Sequence, residues 1–246
     1  MSDVARLRLL DGFALDCGSK PVHVTKTLQR LLAFVALRRQ ATRPLVAGTL
    51  WPESDEPKAF GRLRTALWRL HQFDVAVLAV DGEMLRLHES VSVDVDDLLR
   101  SVQDSDAEAH DVLRSDGLQE LLPGWYDDWV LLDRERLRQL YLHTLEKLAL
   151  RDLRAGDFAG ALEAVLVALR AEPLRESPYR LLLEIHLAEG NYSEAIYTYH
   201  AYRILLRREL GVNPSPGMRR LLDAAVEPVS GTGGSPRYWL AGGVGS

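Results

Sequence analysis

The sequence predicts a mainly α-helical chain with a small β component, in which an N-terminal winged helix-turn-helix precedes an all-α, tetratricopeptide-like helical domain. Three observations favour this fold class. Short strand patterns open the chain, and a hairpin pattern closes its first third after three helical patterns. After Gly124 the pattern is helical almost throughout. Within this region a helix-pair motif recurs after 34 residues, which is typical of tetratricopeptide units.

The first 92 residues have the spacing of a winged helix-turn-helix. Three short strands are expected, separated by turn residues, at 6–10, 13–16 and 21–24. Apolar residues at helical spacing then predict three helices, at 26–39, at 45–50 and from Glu56 to about Gln72. Thr25 is a suitable N-cap for the first of them. The pair Asp81-Gly82 joins apolar runs at 75–80 and 84–87, which predicts a terminal hairpin, the wing.

The second half is expected to be helical. The carboxylates at 94–97 are typical of a helix start, where the helix dipole favours negative charge. Gly156 and Gly190 each mark the turn of a helix pair and are each followed five residues later by alanine, so two tetratricopeptide-like units are predicted. Residues 229–246 are rich in Gly and Ser and are predicted to form a flexible tail. The predicted domains are therefore 1–92, 93–228 and 229–246.

The composition is that of a globular protein outside the membrane. The chain has 246 residues, 47% of them hydrophobic, and its 30 Lys and Arg against 35 Asp and Glu give a net charge of −5. Its longest apolar run, 31–37, is far shorter than the roughly 20 residues of a membrane-spanning helix. The first residues lack a secretory signal pattern, and the single Cys17 excludes an internal disulfide framework. We therefore expect a cytoplasmic protein without membrane contact.

Positive charge is concentrated in one part of the chain. Residues 20–71 hold 10 basic and 3 acidic residues, whereas residues 93–246 hold 17 basic and 25 acidic residues. A basic patch on an otherwise acidic protein indicates a polyanion as partner. Charge alone is equally compatible with an ordinary solvated helix face.

The third helix is the most informative segment, because its two faces differ in charge. The face predicted to enter the core is apolar and consists of Phe60, Leu63, Leu67 and Leu70. The opposite face is basic and polar and carries Lys58, Arg62, Thr65 and Arg69, with Gly61, Arg64 and Trp68 on its flanks. No carboxylate occurs in this helix after Lys58, whereas an ordinary solvated face mixes both signs. Such a face suits the DNA major groove, where Arg pairs bidentately with guanine and Lys and Thr contact phosphates or base edges.

Other residues of the first 92 are expected to contact the DNA backbone. Lys26 and Thr27 begin the first helix, where backbone N–H groups and the helix dipole favour a phosphate. Arg43 precedes the second predicted helix and Arg86 lies on the hairpin, so both are candidates for backbone and minor-groove contact. The complete set of predicted DNA-binding residues is Lys26, Thr27, Arg43, Lys58, Arg62, Arg64, Thr65, Trp68, Arg69 and Arg86.

No pattern typical of a catalytic or cofactor site occurs in the sequence. The seven histidines have no close metal-ligand spacing, and there is neither a phosphate-binding loop nor a nucleophile elbow. The carboxylates at 94–97 and those of Asp127 and Asp128 are interpreted as helix-start residues rather than metal ligands. We therefore expect no enzymatic activity, no metal and no cofactor.

Several separated stretches resemble the Streptomyces antibiotic regulatory protein (SARP) family. Its members join an OmpR-type winged helix to a bacterial transcriptional activator domain. The similar stretches occur in the family's order and cover about residues 5–225. They are Leu63-Arg-Thr-Ala-Leu-Trp-Arg-Leu70, Leu122-Pro-Gly-Trp-Tyr-Asp-Asp-Trp-Val130, Arg134-Glu-Arg-Leu137, Pro173-Leu-Arg-Glu176 and Glu209-Leu-Gly-Val-Asn-Pro-Ser-Pro216. Gln72 and Phe73 depart from relatives that continue there with basic residues.

The resemblance implies a transcriptional activator that binds direct repeats in double-stranded DNA as a head-to-tail homodimer. It also implies recruitment of RNA polymerase and sigma factor to promoters of secondary-metabolite or pathway-specific genes. On the matching positions, the residues that would face DNA are Lys26, Arg62, Arg64, Thr65 and Arg69. The loop before the recognition helix touches polymerase in the family, and here that polymerase-contact loop holds Trp51, Pro52, Glu53, Asp55 and Glu56.

Two alternatives stay open from the residues alone. The first is a non-DNA-binding, tetratricopeptide-like adaptor protein, in which the helix pairs are a scaffold and the winged helix contacts protein. The second is a repressor, because the residues indicate where DNA would bind and not whether polymerase is helped or blocked.

Overall fold

The predicted fold class is confirmed. The computed structural model describes residues 5–73, 75–103 and 119–225, and the predicted flexible tail at 229–246 lies outside them. The described residues form seven short strands: β1 (Ala5–Arg8), β2 (Ala14–Cys17), β3 (Lys20–Pro21), β4 (Gln40–Thr42), β5 (Leu78–Asp81), β6 (Met84–Leu87) and β7 (Val91–Val93). They also form nine helices: α1 (Lys26–Arg38), α2 (Arg43–Leu50), α3 (Glu56–Leu70), α4 (Asp94–Gln103), α5 (Asp128–Ala155), α6 (Phe158–Ala171), α7 (Glu176–Ala188), α8 (Tyr192–Leu210) and α9 (Pro216–Ala225).

The chain divides into two units, Met1–Pro178 and Tyr179–Ser246. The first unit extends beyond the winged helix because residues 121–137 contribute to the same hydrophobic core. The domain boundaries expected at residues 92 and 228 stay predictions. No helix within the described residues combines the length and the apolar character that crossing a membrane requires.

Two small sheets accompany the three helices of the winged helix. In the first sheet, β1 lies between β2 and β7, and β3 pairs with the outer edge of β2. Its neighbouring strands are antiparallel, except that β7 runs parallel to β1. In the second sheet, β6 pairs antiparallel with both β4 and β5. The wing turn between β5 and β6 contains Gly82 at φ +57°, a left-handed conformation that glycine adopts without steric cost.

Some elements differ from the sequence-based expectation. β4 and β7 are only three residues long, too short to be recognised by alternation, and their pairing partners define them. The first wing strand begins at Leu78 rather than at residue 75, because its partner strand ends at Leu87, directly opposite. α2 begins at Arg43 rather than at residue 45, since Pro44 suits a first helical turn and the Thr42 hydroxyl accepts a backbone N–H.

The second half is attached to the first sheet through the residues that follow β1. Asp94, the first residue of α4, accepts hydrogen bonds from the N–H groups of Leu9 and Leu10 at 2.9 and 3.0 Å. Burial raises the pKa of Asp94, and these backbone donors oppose the rise. The Leu122 N–H donates to the Leu9 carbonyl at 2.8 Å, and Leu10 forms a β-bridge with Leu121. These contacts join two segments of the second half to one end of the same strand.

Helix α1 presents one side to the start of the second half. Phe34 packs edge-on against Trp129 with ring centroids 5.3 Å apart, and both residues are buried. One turn later, Arg38 donates hydrogen bonds to both carboxylate oxygens of Asp133, at 2.9 and 2.7 Å. Asp133 is only 7% exposed, so its charge depends on Arg38 for compensation.

Four of the remaining helices, α5 to α8, form the two pairs that the 34-residue repeat predicts. α5 and α6 are joined at Gly156, and α7 and α8 are joined at Gly190. Both glycines have a left-handed backbone, with φ near +77° and +76°, which ends the preceding helix tightly. The alanine five residues after each glycine is fully buried, where a small side chain lets helices pack closely.

We predict that Arg38→Ala lowers the free energy of unfolding by about 1.5–3 kcal/mol, because it leaves the buried Asp133 carboxylate without a charged partner. Arg39→Ala is the matched control. Arg39 pairs with Asp96 at 2.8 Å, but its side chain is 69% exposed, so its loss costs about 1 kcal/mol or less. Urea denaturation of the full chain measures both variants, and equal destabilisation would contradict the dependence of Asp133 on Arg38.

Candidate nucleic-acid interface

The orientation of the basic residues on α3 follows from how this helix begins and which side it buries. Asp55 caps the helix, because its carboxylate accepts the Lys58 N–H at 3.1 Å, and Pro57 fits the first turn. The side of α3 that enters the core consists of Ala59, Leu63, Ala66, Leu67 and Leu70. Phe60, which the spacing assigns to the core, is half-buried at the edge of that side. Small alanines occupy the centre instead and let α3 approach its neighbours.

The opposite side of α3 faces solvent. It carries the six exposed residues that the sequence predicts for DNA: Lys58, Arg62, Arg64, Thr65, Trp68 and Arg69. Lys58 is paired with Asp55 at the helix start, at 2.8 Å. Within the part of the chain that the structure describes, no acidic side chain pairs with the three arginines. Their charges therefore stay available to a ligand, and Trp68, 63% exposed, adds an aromatic surface beside them.

A groove lies between α3 and the first turn of α1. Its volume is about 650 Å³, and its polar lining consists of Thr27, Lys58, Arg62, Thr65 and Arg69. The Thr65 hydroxyl donates a hydrogen bond to the Gly61 carbonyl at 3.0 Å, which fixes its side chain. The fold thus brings Thr27 of α1 together with four predicted residues of α3, while Arg64 and Trp68 lie outside the groove.

Gly61 lines the same groove at a position where the fold does not require glycine. A Cβ atom at this position would meet no atom within 4 Å, and the backbone there is ordinary helix. Glycine in a helix interior costs about 0.5–1 kcal/mol relative to alanine. The absence of a side chain at Gly61 is therefore not needed for packing inside the protein. It leaves the α3 main chain accessible to a ligand that enters the groove.

The Lys26 side chain is exposed, and its ammonium contacts the second half instead of lining the groove. Its Nζ atom lies 3.5 Å from the ring centroid of Trp125, a cation–π arrangement. Burial lowers the pKa of Lys26, while the nearby Asp127 carboxylate opposes this effect. One turn along α1, an Nη atom of Arg30 donates to Asp127 at 2.5 Å. The first turn of α1 therefore contributes Thr27 to the groove, whereas Lys26 and Arg30 contact the second half.

Arg43 and Arg86 lie away from the groove, near the wing. The Arg43 N–H donates to the Glu83 carbonyl at 2.8 Å, which attaches the first turn of α2 to the wing turn. The Nε of Arg43 is buried and has no hydrogen-bond partner within the described residues. Arg86 is exposed on β6, opposite Gln40 of β4, and none of the described carboxylates pairs with it.

The loop between α2 and α3 is exposed in part. Trp51 is buried and ends α2, with its N–H donating to the Ala47 carbonyl at 3.2 Å. The other residues predicted for polymerase contact are exposed: Pro52, Glu53, Asp55 and Glu56. Trp51 thus supports this loop from the core, while Glu53 and Asp55 before α3 and Glu56 at its first position face solvent.

Three of the basic residues counted between positions 20 and 71 pair with carboxylates outside that segment. Arg30, Arg38 and Arg39 pair with Asp127, Asp133 and Asp96 respectively. The net charge of this segment therefore overstates the charge that a ligand meets. Each partner lies 57 to 97 residues further along the chain, so no local sequence signal indicates these pairs.

The carboxylates that begin helices serve the fold. Asp94 accepts backbone N–H groups of Leu9 and Leu10, and Asp127 pairs with Arg30. Among the residues that the structure describes, no three His, Cys, Asp or Glu side chains come together so that they could hold a metal ion.

Comparison with known proteins gives a consistent set of matches. Residues 94–225 match the family model described as the bacterial transcriptional activator domain. The chain is 32% identical over 209 residues to the regulatory protein AfsR of Streptomyces coelicolor, covering 78% of this chain and 21% of that protein. It is 28% identical over 242 residues to AfsR of Streptomyces griseus, covering 89% of this chain and 24% of that protein. The chain thus spans about a fifth to a quarter of the length of these relatives.

A solved structure has a similar fold. It is that of Mycobacterium tuberculosis EmbR in complex with a low affinity phosphopeptide, matched with a TM-score of 0.69 and 17% identity. The match covers 91% of this chain and 65% of that one. At this level of identity the similarity concerns the fold alone.

Proposed function

The chain belongs to the SARP family of transcriptional activators, through its bacterial transcriptional activator domain, and on this premise we propose that it binds specific sequences in double-stranded DNA and activates transcription. The single observation that carries the proposal is the solvent face of α3. Its three arginines are exposed, without acidic partners in the described residues.

We propose that different residues of the groove contact different parts of the DNA. Arg62 and Arg69 would read base edges in the major groove, where an Arg pairs bidentately with guanine. Thr27, Lys58 and Thr65 line the same groove and would contact phosphates or base edges. Gly61 supports close approach of α3 to the duplex, because its backbone carries no side chain. Arg64 and Trp68, on the flank of the helix, would contact the adjacent backbone and bases.

The wing side would contribute two further contacts. Arg86 is exposed on the hairpin and would enter the adjacent minor groove, and Arg43 would contact a phosphate near the first turn of α2. Lys26 joins these residues only when it leaves the Trp125 ring.

Activation would require further partners. We propose that two copies bind direct repeats head-to-tail and recruit RNA polymerase and sigma factor, at promoters of secondary-metabolite or pathway-specific genes, in the cytoplasm. The exposed carboxylates of Glu53, Asp55 and Glu56 support a contact between the α2–α3 loop and a basic polymerase surface. The proposal includes no catalytic step and no cofactor.

A second candidate function, a protein-binding adaptor, is favoured by one observation. A cleft of about 550 Å³ lies between α2 and the start of α5. The exposed apolar residues along it are Leu45, Pro52, Tyr126 and Leu132. Exposed apolar surface of this kind marks protein contacts more often than nucleic-acid contacts.

Binding to random duplex DNA at increasing salt separates the two functions. If about five cations each neutralise one phosphate, the logarithm of affinity falls with the logarithm of salt concentration at a slope of about −4 to −5. An adaptor has no such slope. Fluorescence anisotropy of a labelled duplex gives the value directly, and a flat titration would exclude the DNA-binding proposal.

We predict that Arg62→Ala removes sequence discrimination at one base pair, at a cost of about 1–3 kcal/mol for the preferred site. The matched control is Arg136→Ala, which removes an exposed arginine of α5 far along the chain from the basic helix. Selection of preferred sequences from a random library, followed by mobility-shift titration, measures both variants. Unchanged affinity and selectivity of the Arg62 variant would contradict its assignment to base reading.

We predict that Glu53→Gln reduces transcript yield several-fold at equal occupancy of the promoter, because it removes one exposed carboxylate from the proposed polymerase contact. Glu163→Gln, an exposed carboxylate of α6, is the matched control. Run-off transcription with purified polymerase and footprinting of the same template measure yield and occupancy. Equal yields from the two variants would remove Glu53 from the polymerase contact, and lower transcription in the presence of the wild-type chain would identify a repressor.

A further inference from the structure

Two cations at the start of α1 are engaged by a short segment of the second half. The Lys26 ammonium lies 3.5 Å from the Trp125 ring centroid, and the Arg30 guanidinium donates to the Asp127 carboxylate at 2.5 Å. Lys26 and Arg30 are four residues apart and therefore lie on one side of α1. Thr27, directly after Lys26, lies instead on the side that lines the groove with α3. The same helical turn thus meets both the candidate DNA site and the second half.

The segment that holds these cations is itself firmly fixed. The Trp125 ring is 7% exposed, stacks against Phe13 with centroids 6.3 Å apart, and meets Trp129 edge-on. The backbone carbonyl of Trp125 accepts a hydrogen bond from the Arg134 guanidinium at 3.1 Å. The ring therefore cannot follow Lys26 if that side chain moves toward a phosphate.

Asp127 is oriented toward the cations rather than toward its own helix. It stands at the N-cap of α5, yet its carboxylate makes no capping hydrogen bond to that helix. It pairs with Arg30 instead and lies close enough to Lys26 to favour its charged form. The Trp125 ring and the Asp127 carboxylate bind Lys26 and Arg30 through the same interactions that a nucleic-acid base and a phosphate would make with them.

We propose that Trp125 and Asp127 compete with DNA phosphates for Lys26 and Arg30, so that the second half limits the affinity of the winged helix for the DNA backbone. This inference rests on the proposed DNA-binding function. It gives the helical half a direct effect on DNA affinity through contacts outside the groove. A partner or modification that moves Asp127 away from α1 would free Lys26 and Arg30 to contact the DNA backbone.

The decisive variant is Asp127→Asn in the full chain, because Asn keeps the N-cap preference and the volume of Asp while removing its charge. The matched control is Asp128→Asn. It makes the same charge change at the next residue, which is exposed and has no side-chain partner among the described residues. Anisotropy titration of both variants against a random labelled duplex at several salt concentrations is the measurement.

We expect the Asp127 variant to bind more tightly and its salt slope to become steeper by about 0.9 for each released cation, hence by about 1.8 for two. The control shifts affinity slightly through net charge and keeps the wild-type slope. Equal slopes for both variants, with a steep wild-type slope, overturn this inference alone. A flat wild-type slope overturns the DNA-binding proposal and this inference with it.

Lys26→Ala, made in the wild-type chain and in the Asp127→Asn variant, tests how much of the change in salt slope comes from each cation. In the otherwise wild-type chain it leaves the slope unchanged, because the Trp125 ring and the Asp127 carboxylate together hold Lys26 away from the DNA backbone. Combined with Asp127→Asn it removes about half of the gained slope, because only Arg30 then reaches a phosphate. A flatter slope from Lys26→Ala in the otherwise wild-type chain would mean that Lys26 contacts phosphate beside the ring, which overturns the competition.

Discussion

The contact between one side of α1 and the start of α5 is the constraint on which the first unit depends. Positions 26, 30, 34 and 38 follow at a spacing of four, and their partners occur in the same order along the chain: Trp125, Asp127, Trp129 and Asp133. Aromatic packing in the middle excludes water, so the neighbouring charge pairs are less screened than pairs at the surface. The winged helix and residues 121–137 therefore share one hydrophobic core rather than being joined only by a flexible linker.

This contact also determines part of the candidate DNA site. One wall of the groove is the first turn of α1, whose orientation the second half fixes through Trp125 and Asp127. The other wall is α3, which packs on α1 through Leu63 and its buried neighbours. Residues 125–127 thus act on the groove without lining it, because α1 contacts both surfaces.

How much the sequence predicts depends on the range of the interactions involved. α1, α3 and the wing turn are predictable because caps, apolar spacing and Gly82 act within a few residues. β4 and β7 are not, since three-residue strands are defined by partners far along the chain. The same distinction holds within the site. The exposed residues of α3 follow from its own periodicity, whereas the environment of Lys26 is set by Trp125, which no pattern near Lys26 indicates.

Hydrophobic packing explains why residues 125–133 pair with α1 rather than with α3. The side of α1 that meets α5 contains Phe34, which buries apolar area against Trp129 and brings the flanking charges together as a consequence. Among the exposed residues of α3, Trp68 is the only large apolar one, so covering this side with protein would desolvate several cations for a small apolar gain. DNA phosphates avoid this cost, because counterion release favours their contact with hydrated arginines. The exposed face of α3, with its arginines and a single large aromatic residue on the flank, is therefore suited to a polyanion in a way that α1 is not.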